Sequence, residues 1–395
     1  MATLTLAQAQ SAPVSNQSDE PKDMETALST AADSKHNELT TTPVHEYLYT
    51  MIEIGVVRTL AERGVFSAIP ITGDISVQEL AEKTSIDLAL LNRFIKFLIL
   101  AKVLVSQATG RVAHTAKSEF FSIPRAIDFL SLHVDFFMGP ATRWPDYFEA
   151  NGFKEPQSGK QTPLGLYHGY PDKSIYEVMP LLPGNKASIF NRAMANTLDS
   201  MPILGYYDFS WIANHACIEA DPKRTLLVDV GGGKGQAIKA ILEENPTIPY
   251  GRCVLQDQAF MINEAIAEND VVVRQTAKVI SSFFEPQLVK GALVYHIRRV
   301  LNDWSDKEAI EILQHVRDAC VADSVVLVSE QILPDEPSLD LAAMDVFIIN
   351  YGGKRRTRAM FEEMAGAAGL KVASVSVDKA TRQAMIEMVP TGGSI

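Results

Sequence analysis

A glycine-rich stretch, LLVDVGGGKGQAIKA at residues 226–240, constrains the fold of this chain more than any other segment. An apolar run ends at Asp229, and an amphipathic helix is predicted after the glycines at positions 231, 232, 233 and 235. Because glycine lacks a Cβ atom, it lets the backbone turn sharply and approach a ligand closely. The stretch therefore predicts a strand, a ligand-binding loop and a helix in direct succession.

The spacing of these glycines distinguishes between two classes of ligand. A dinucleotide fingerprint needs G-x-G-x-x-G, and counting from Gly231 puts Gln236 at its last position. Taken at every second position, Asp229, Gly231, Gly233 and Gly235 instead match D-x-G-x-G-x-G, the loop pattern of S-adenosylmethionine sites. A second strand, RCVLQD, ends in Asp257, whose carboxylate is placed to accept both ribose hydroxyls. The alternative is that the glycines form a tight turn and the acid caps a helix, with no ligand bound. The presence of Asp257 at the correct spacing disfavours this alternative.

The remainder of the chain divides into predicted regions. In residues 206–395, apolar strands alternate with helices of roughly ten to fifteen residues, which predicts a doubly wound, mainly parallel sheet. Residues 126–205 are predicted to be a helical connector that lines the substrate pocket. Residues 43–125 show helix, turn, helix and hairpin signals, which predict a winged-helix layout. Residues 1–42 lack apolar periodicity and are predicted to be mobile.

The recognition-helix candidate of the winged-helix region, DLALLNRFIKFLILAKV, is mostly apolar. Such a helix is suited to burial, so dimerisation or core packing is favoured over DNA contact. A non-enzymatic winged-helix regulator or binding module would need a basic face, but Lys and Arg are only scattered in this region. A formal charge of −12 also argues against nucleic acid as a partner.

Other classes of protein are disfavoured by short-range patterns. The longest apolar run, residues 94–105, contains two lysines and is too short to span a membrane. The histidines show no HxxxH or HExxH spacing, so no metal site is predicted. The amino terminus lacks both the basic start and the apolar core of a secretory signal, and we expect a cytoplasmic protein.

With these parts in place, the chain resembles the O-methyltransferase family of plants, fungi and bacteria that methylates small hydroxylated metabolites. The resemblance covers about residues 44–390. It is carried by the winged-helix region and by LLVDVGGGKGQ, VLQD, FFEPQLVKGA, YHIRRVLNDWSD, LVSEQILPD and MDVFIINYGGKRRT. It implies a Rossmann-like class I methyltransferase domain, an intertwined homodimer and S-adenosylmethionine at the carboxyl ends of the strands. It also implies a hydrophobic small-molecule substrate.

The chain departs from the family at the catalytic site. The resemblance implies a histidine that removes the substrate proton and two flanking acids, but Asn302 stands at the base position. Glu330 is retained as one acid, whereas Arg355 replaces the other. Ser282 stands where the family has an adenine-contacting acid. The other residues expected to bind the cofactor are intact, namely Asp229, Gly231, Gly233, Gly235, Asp257, Phe283 and Arg298.

Three hypotheses account for these departures. The site has decayed, or it methylates with another base or a substrate acidic enough to need none, or it keeps the cofactor for different chemistry. Fungal pericyclases within this family bind S-adenosylmethionine without consuming it and act on polyketide–amino acid hybrids. A pericyclic step needs confinement and carbonyl polarisation but no base. Because Asn302 supplies an amide donor and Arg355 a cation, the sequence favours a pericyclase, with an O-methyltransferase of a hydroxylated secondary metabolite as the alternative.

The remaining candidates lie in the connector and the catalytic motif. His133, in FLSLHVDFFMG, is a candidate donor, and Arg192, in FNRAMANT, is a candidate inward-facing cation. They complete a predicted catalytic set with Asn302, Asp303 and Arg355. The resemblance implies a substrate pocket with Phe136, Phe137, Trp144, Met194 and Glu330. As bare sequence, the apolar members are equally good core residues.

Overall fold

The computed structural model describes residues 42–184, 186–195 and 201–392. The chain forms two compact units, one ending at Phe121 and the other beginning at Ser122. Of the segment predicted to be mobile, all but Thr42 lies outside the described residues. The finer predicted divisions of the chain stay predictions.

The first unit combines short helices with a small antiparallel sheet of order β1-β3-β2. The predicted capping box is present. Ser76 Oγ accepts a hydrogen bond from the backbone N–H of Glu79, and the Glu79 carboxylate accepts one from the backbone N–H of Ser76. The helices and the hairpin predicted for this region are present, and its assignment as a winged-helix dimerisation domain stays a prediction. Its elements are α1 (Pro43–Glu62), α2 (Val65–Ala68), β1 (Ile75–Ser76), α3 (Val77–Thr84), α4 (Leu88–Leu100), β2 (Leu104–Ala108), β3 (Arg111–His114) and α5 (Ala116–Phe120).

Helix α4 forms most of the recognition-helix candidate, and one of its faces packs into the first unit. Asp87 caps its first turn by accepting from the N–H of Leu90 at 2.9 Å. Leu91, Ile95 and Leu98, which share one face at helical spacing, are buried within the unit.

The second unit begins with connector helices that pack around an apolar cluster. This cluster includes Phe136, Leu164 and Val178 together with Phe347 and Tyr351, which come from much later in the chain. The helices are α6 (Pro124–His133), α7 (Gly139–Ala141), α8 (Trp144–Ala150), α9 (Pro163–His168), α10 (Ile175–Val178) and α11 (Lys186–Ala195). A π-helical turn, Val134–Met138, joins α6 to α7.

The remainder of the second unit is a seven-stranded sheet of order β6-β5-β4-β7-β8-β10-β9. Neighbouring strands from β6 to β8 are parallel, and β10 is antiparallel to both β8 and β9. The predicted doubly wound, mainly parallel sheet is confirmed. The strands are β4 (Leu227–Val230), β5 (Cys253–Asp257), β6 (Ala277–Ile280), β7 (Val294–Arg298), β8 (Val325–Gln331), β9 (Leu370–Val377) and β10 (Gln383–Pro390).

Helices pack on both faces of this sheet. They are α12 (Ser210–Ile218), α13 (Gln236–Glu244), α14 (Ala259–Glu268), α15 (Asp306–Arg317), α16 (Leu339–Ile348) and α17 (Arg358–Ala367). Side chains alternate between the faces along each strand, so Val228 and Leu227 belong to different apolar clusters. Because β4, β5, β7 and β8 are parallel, the loops that follow them share one edge of the sheet. Within the described ranges, no helix has the length and apolarity needed to cross a bilayer.

Helix α15 offers a direct test of the packing of this sheet. Ile312 on α15 is fully buried in the cluster that contains Val228, whereas the adjacent Glu311 faces solvent. Ile312→Ala should lower the free energy of unfolding by about 2–5 kcal/mol, because it removes buried methyl groups and leaves a cavity. Glu311→Ala is the matched control, with an expected change within about 0.5 kcal/mol. Urea unfolding followed by circular dichroism measures both, and equal effects would contradict the packing.

Candidate cofactor and catalytic site

The glycine loop follows β4 and has little room for side chains. Gly231 has φ +68°, and a Cβ atom there would lie 2.9 Å from Val300 Cγ2. A Cβ atom on Gly232 would lie 2.5 Å from Asp229 Oδ2. The backbone N–H groups of Gly231 and Gly232 donate to the carbonyl of Gln256 on β5. The loop is therefore held against the tip of the neighbouring strand as a cradle that only glycine can line.

Asp257 lies at the end of β5, directly beside this cradle. Its carboxylate accepts hydrogen bonds from the N–H of Gly233 at 2.8 Å and from the N–H of Gln258 at 2.7 Å. Burial raises the pKa of Asp257, while these two backbone bonds act in the opposite direction. The bonds orient the carboxylate and leave further lone pairs for a ligand hydroxyl.

Asp229 and Arg298 lie on neighbouring strands at the same edge. Asp229 Oδ1 is 2.9 Å from His296 Nδ1, and its Oδ2 accepts no hydrogen bond from the described part of the chain. Arg298 donates from Nη2 to the carbonyl of Met201 at 2.6 Å. Burial lowers the pKa of Arg298, an effect that the charge of Asp229 opposes. The site thus has an acid and a cation at the ends of adjacent strands.

Ser282 and Phe283 follow β6. Ser282 Oγ accepts from the N–H of Phe284 at 3.2 Å, so this residue shapes the local turn. The Phe283 ring lies 3.5 Å from the position of a Cβ on Gly231, next to the glycine loop. The cradle, the orphaned oxygen of Asp229 and the oriented Asp257 together fit S-adenosylmethionine, a ligand with ribose hydroxyls and a charged amino acid end.

Asn302 lies in a short 3₁₀ turn, Leu301–Asp303, directly after β7. Its side-chain Nδ2 donates to Glu330 Oε2 at 2.7 Å. The N–H of Leu301 donates to Glu330 Oε1 at 3.0 Å. Asn302 is 8% exposed, and its Oδ1 has no hydrogen-bond partner among the residues that the structure describes. The carboxylate of Glu330 thus selects the amide orientation in which Asn302 presents an acceptor rather than a donor.

Glu330 is 1% exposed at the end of β8. Burial raises its pKa to about 7, and the charge of Asp303 adds to this rise. The backbone N–H of Asn302 and the charges of Arg355 and Arg299 oppose the rise. Glu330 is therefore poised to change its charge near neutral pH.

Arg355 is buried beside these acids. Its Nη1 donates to Gln331 Oε1 at 2.5 Å, and its backbone N–H donates to Asp345 Oδ1 at 2.8 Å. Burial lowers the pKa of Arg355, while the charges of Tyr351, Glu330 and Asp303 raise it. The structure therefore brings together four of the residues predicted from the sequence: Asn302, Asp303, Glu330 and Arg355.

Arg356, which no sequence pattern singled out, holds the 3₁₀ turn that contains Asn302. Its fully buried guanidinium donates to the carbonyls of Leu301 at 2.7 Å and Trp304 at 2.8 Å, and to Asp306 Oδ1 at 2.8 Å. A second miss is Tyr176 on α10, whose hydroxyl donates to Asp303 Oδ2. No local sequence pattern marks either residue, because the groups that they bind in this turn lie more than 40 positions away in the chain.

His133 lies at the end of α6 among aromatic side chains. Its ring is 5.8 Å from Phe347 in a perpendicular arrangement, and Phe137 stacks on the same phenyl ring at 5.6 Å. Trp144 contacts Phe137 edge-on at 5.6 Å. Burial lowers the pKa of His133, which favours the neutral imidazole. These side chains form an aromatic wall next to Tyr351, whose hydroxyl is electrostatically coupled to Asp303 and Glu330.

The other predicted pocket residues differ in position. Phe136 is fully buried and contacts Phe190 within the core. Met194 Sδ accepts from Arg299 Nη2 at 3.0 Å. Arg192 forms a two-pronged ion pair with Asp128, and about half of its side chain is exposed. The structure therefore does not bring Arg192 to the groups around Asn302.

Comparisons with known proteins agree with this geometry. Residues 217–371 match the family model described as an O-methyltransferase domain. Methyltransferase eqxD of Fusarium heterosporum is 50% identical over 349 residues, which are 88% of this chain and 96% of that protein. OxaC in complex with SAH and oxaline has a TM-score of 0.79 at 22% identity, with 93% of each chain covered. A structure titled a pericyclic reaction enzyme has a TM-score of 0.73 at 20% identity, with coverage of 94% and 95%.

The fold and the site define an S-adenosylmethionine-binding enzyme of the class I methyltransferase fold. The chain belongs to the O-methyltransferase family. The two solved structures, which are less than 25% identical, show the fold alone.

The raised pKa of Glu330 predicts a pH-dependent stability. A carboxyl whose pKa rises on folding binds its proton more tightly in the folded state, so it stabilises the protein below its ordinary pKa of 4.5. That contribution is lost as the pH rises to about 7. Wild-type protein should therefore lose about 3 kcal/mol relative to Glu330→Gln between these pH values. Urea unfolding across the range measures this difference, and a constant difference would contradict the raised pKa.

Proposed function

We propose that the protein is an S-adenosylmethionine-dependent methyltransferase. The atom that it methylates is the nitrogen or oxygen of an acidic N–H or O–H group flanked by carbonyl groups. The substrate class is a hydrophobic polyketide or polyketide–amino acid hybrid. The observation that carries this proposal is the orientation of Asn302, whose Nδ2 is held by Glu330 while its Oδ1 is left as a buried acceptor. A relative of half-identical sequence over nearly its whole length carries the name methyltransferase.

Asn302 determines which acceptors can react. An amide cannot take a proton near neutral pH, so the N–H or O–H of the acceptor must be acidic enough to release its proton to solvent water. A phenol, with an ordinary pKa near that of tyrosine at about 10, is poorly suited, whereas an enol or an amide N–H between carbonyls is more acidic. S-adenosylmethionine, when bound, supplies an electrophilic methyl group.

Asn302 Oδ1 accepts the hydrogen bond of the N–H or O–H and so orients the acceptor atom. Arg355 lies close enough to interact with Glu330 and Asp303, and its cation stabilises negative charge on a carbonyl oxygen next to the acceptor atom. The aromatic wall of His133, Phe137 and Phe347 packs against the apolar part of the substrate. These roles need no histidine at position 302.

A pericyclase, which the sequence favours, is the second candidate. Arg355 supports it, because a buried cation stands where the family resemblance implies an acid. Two contacts weigh against it. The amide donor of Asn302, which would polarise a carbonyl, is engaged by Glu330. The charges of Glu330 and Asp303 also offset that of Arg355. The balance of contacts therefore supports methyl transfer.

Incubation with methyl-labelled S-adenosylmethionine tests this assignment. The substrate panel contains phenols, enolic 1,3-dicarbonyl compounds and N-unsubstituted acyl lactams with an apolar chain. We expect label transfer and release of S-adenosylhomocysteine with the dicarbonyl compounds or lactams, and little with the phenols. Mass spectrometry and NMR distinguish methyl on nitrogen from methyl on oxygen. A cyclised product at constant cofactor concentration would instead support the pericyclase.

Asn302→Ala should lower kcat/KM for the accepted substrate by about 10–100-fold, because the buried acceptor that orients the substrate N–H or O–H is lost. The Kd of S-adenosylhomocysteine, measured by calorimetry, should not change, because Asn302 makes no contact with the glycine loop. Asn151→Ala is the matched control, since the Asn151 side chain donates to the carbonyl of Tyr147 at the end of α8. Unchanged kcat/KM in Asn302→Ala would remove Asn302 from the mechanism.

We also propose that the protein is a homodimer through helix α1. This helix exposes a row of apolar side chains at helical spacing, which a soluble monomer would not keep in contact with water. They are Val44, Tyr47, Leu48, Met51 and Ile52.

Light scattering after gel filtration should give a mass twice that of the 43.4 kDa chain. Tyr47→Glu should shift the protein toward the monomer, because it places a charge within the apolar face. Ile71→Glu is the control, as Ile71 is similarly exposed in the first unit but is not part of α1. A monomeric wild type, or an equal response of both variants, would contradict the proposal.

A further inference from the structure

Asp229 and His296 form a buried ionisable pair that the catalytic site does not use. They lie opposite each other on the parallel strands β4 and β7, with Oδ1 and Nδ1 2.9 Å apart. Asp229 is 0% and His296 1% exposed. Both side chains point to the sheet face that carries Leu227 and Leu255, against which Phe209 packs. The same face also carries the buried polar pair Ser329 and Gln383, which are hydrogen-bonded to each other on β8 and β10.

Stability does not account for a pair in this layer. Removing a carboxylate from water costs several kcal/mol, and apolar residues of similar volume in place of a buried ion pair are often neutral or stabilising. Phe209 already packs perpendicular to the imidazole of His296 at 6.3 Å, so an apolar side chain would suit the surroundings. The pair therefore requires an explanation other than packing.

The position of Asp229 supplies that explanation. It lies one residue before the end of β4, directly below the glycine loop. Its Oδ2 is the atom that a Cβ on Gly232 would meet at 2.5 Å, and it has no partner in the described ranges. Because Asp229 is an acceptor, His296 Nδ1 carries the hydrogen of the shared bond. His296 thus engages one oxygen of the carboxylate and leaves the other beside the loop.

We propose that His296 is a positioning residue for S-adenosylmethionine, which holds Asp229 so that Oδ2 can receive the ammonium group of the cofactor. Arg298, at the end of the same strand as His296, provides the complementary cation for the cofactor carboxylate. An unpaired, oriented carboxylate oxygen attracts a cationic group without a further cost of ordering the side chain. This inference rests on cofactor binding and is independent of whether methyl transfer follows.

Calorimetric titration of the full-length protein with S-adenosylhomocysteine, which keeps the ammonium group, tests the proposal. His296→Leu removes the donor and should raise Kd at least tenfold. His296→Asn keeps an N–H at the position of Nδ1 and should stay within about threefold of wild type, since one retained hydrogen bond is the whole contribution. The melting temperature of His296→Leu should fall, because the Asp229 carboxylate stays buried without its donor, so the titrations are run well below it; His296→Asn should keep the wild-type value.

A double-mutant cycle separates positioning from a general structural effect. Asp229→Asn alone should weaken binding, and adding His296→Leu to it should weaken binding no further, because His296 acts through Asp229. Wild-type affinity in His296→Leu would overturn the proposal. So would an equal loss of affinity in both backgrounds, or failure of both His296 variants to fold, since either result assigns the pair to folding. Failure of the labelled methyl transfer would leave these affinities unchanged.

Discussion

The buried guanidinium of Arg356 is the contact on which the catalytic site depends. Three N–H groups of one side chain bind the carbonyls of Leu301 and Trp304 and the carboxylate of Asp306. The N–H of Lys354 adds a bond to the carbonyl of Asn302 at 2.8 Å. A 3₁₀ turn has few hydrogen bonds of its own, so these external donors fix its backbone. Together with the N–H of Leu301, which donates to Glu330, they hold Asn302 within reach of the Glu330 carboxylate.

Once the turn is fixed, the charge of Glu330 decides what Asn302 offers to a substrate. An ionised carboxylate accepts Nδ2 and exposes Oδ1, whereas a protonated one could accommodate the opposite amide orientation. Because burial raises the pKa of Glu330 to about 7, the ionised and the protonated carboxyl are both populated near neutral pH. The site can therefore favour an N–H or O–H donor when Glu330 is charged. Substrate recognition and proton balance are coupled through one hydrogen bond.

Sequence patterns predicted the cofactor side well and the substrate side poorly. The glycine spacing, Asp257 and the alternation of strands and helices are local signals, and each was present in a short window. The orientation of Asn302 depends on Glu330, 28 residues away on the next strand, and no local pattern encodes it. Arg192 shows the same limit, because its bidentate partner Asp128 lies 64 residues earlier on another helix. A charged residue near a pocket motif is paired by tertiary contacts that sequence periodicity does not reveal.

This difference explains why the two hypotheses of function diverged on the same residues. Considered alone, an amide and an arginine at positions 302 and 355 are donors, and donors favour carbonyl polarisation. Considered with their partners, the amide hydrogen is held by Glu330 and the cation is balanced by acids on β8 and in the turn. The buried atoms left without a partner among the described residues are an acceptor, Asn302 Oδ1, and a donor, Arg355 Nε. Together they select a substrate that brings a hydrogen beside a carbonyl oxygen. The chemistry of a site is thus set by the groups that its contacts leave unsatisfied, rather than by the residue types present.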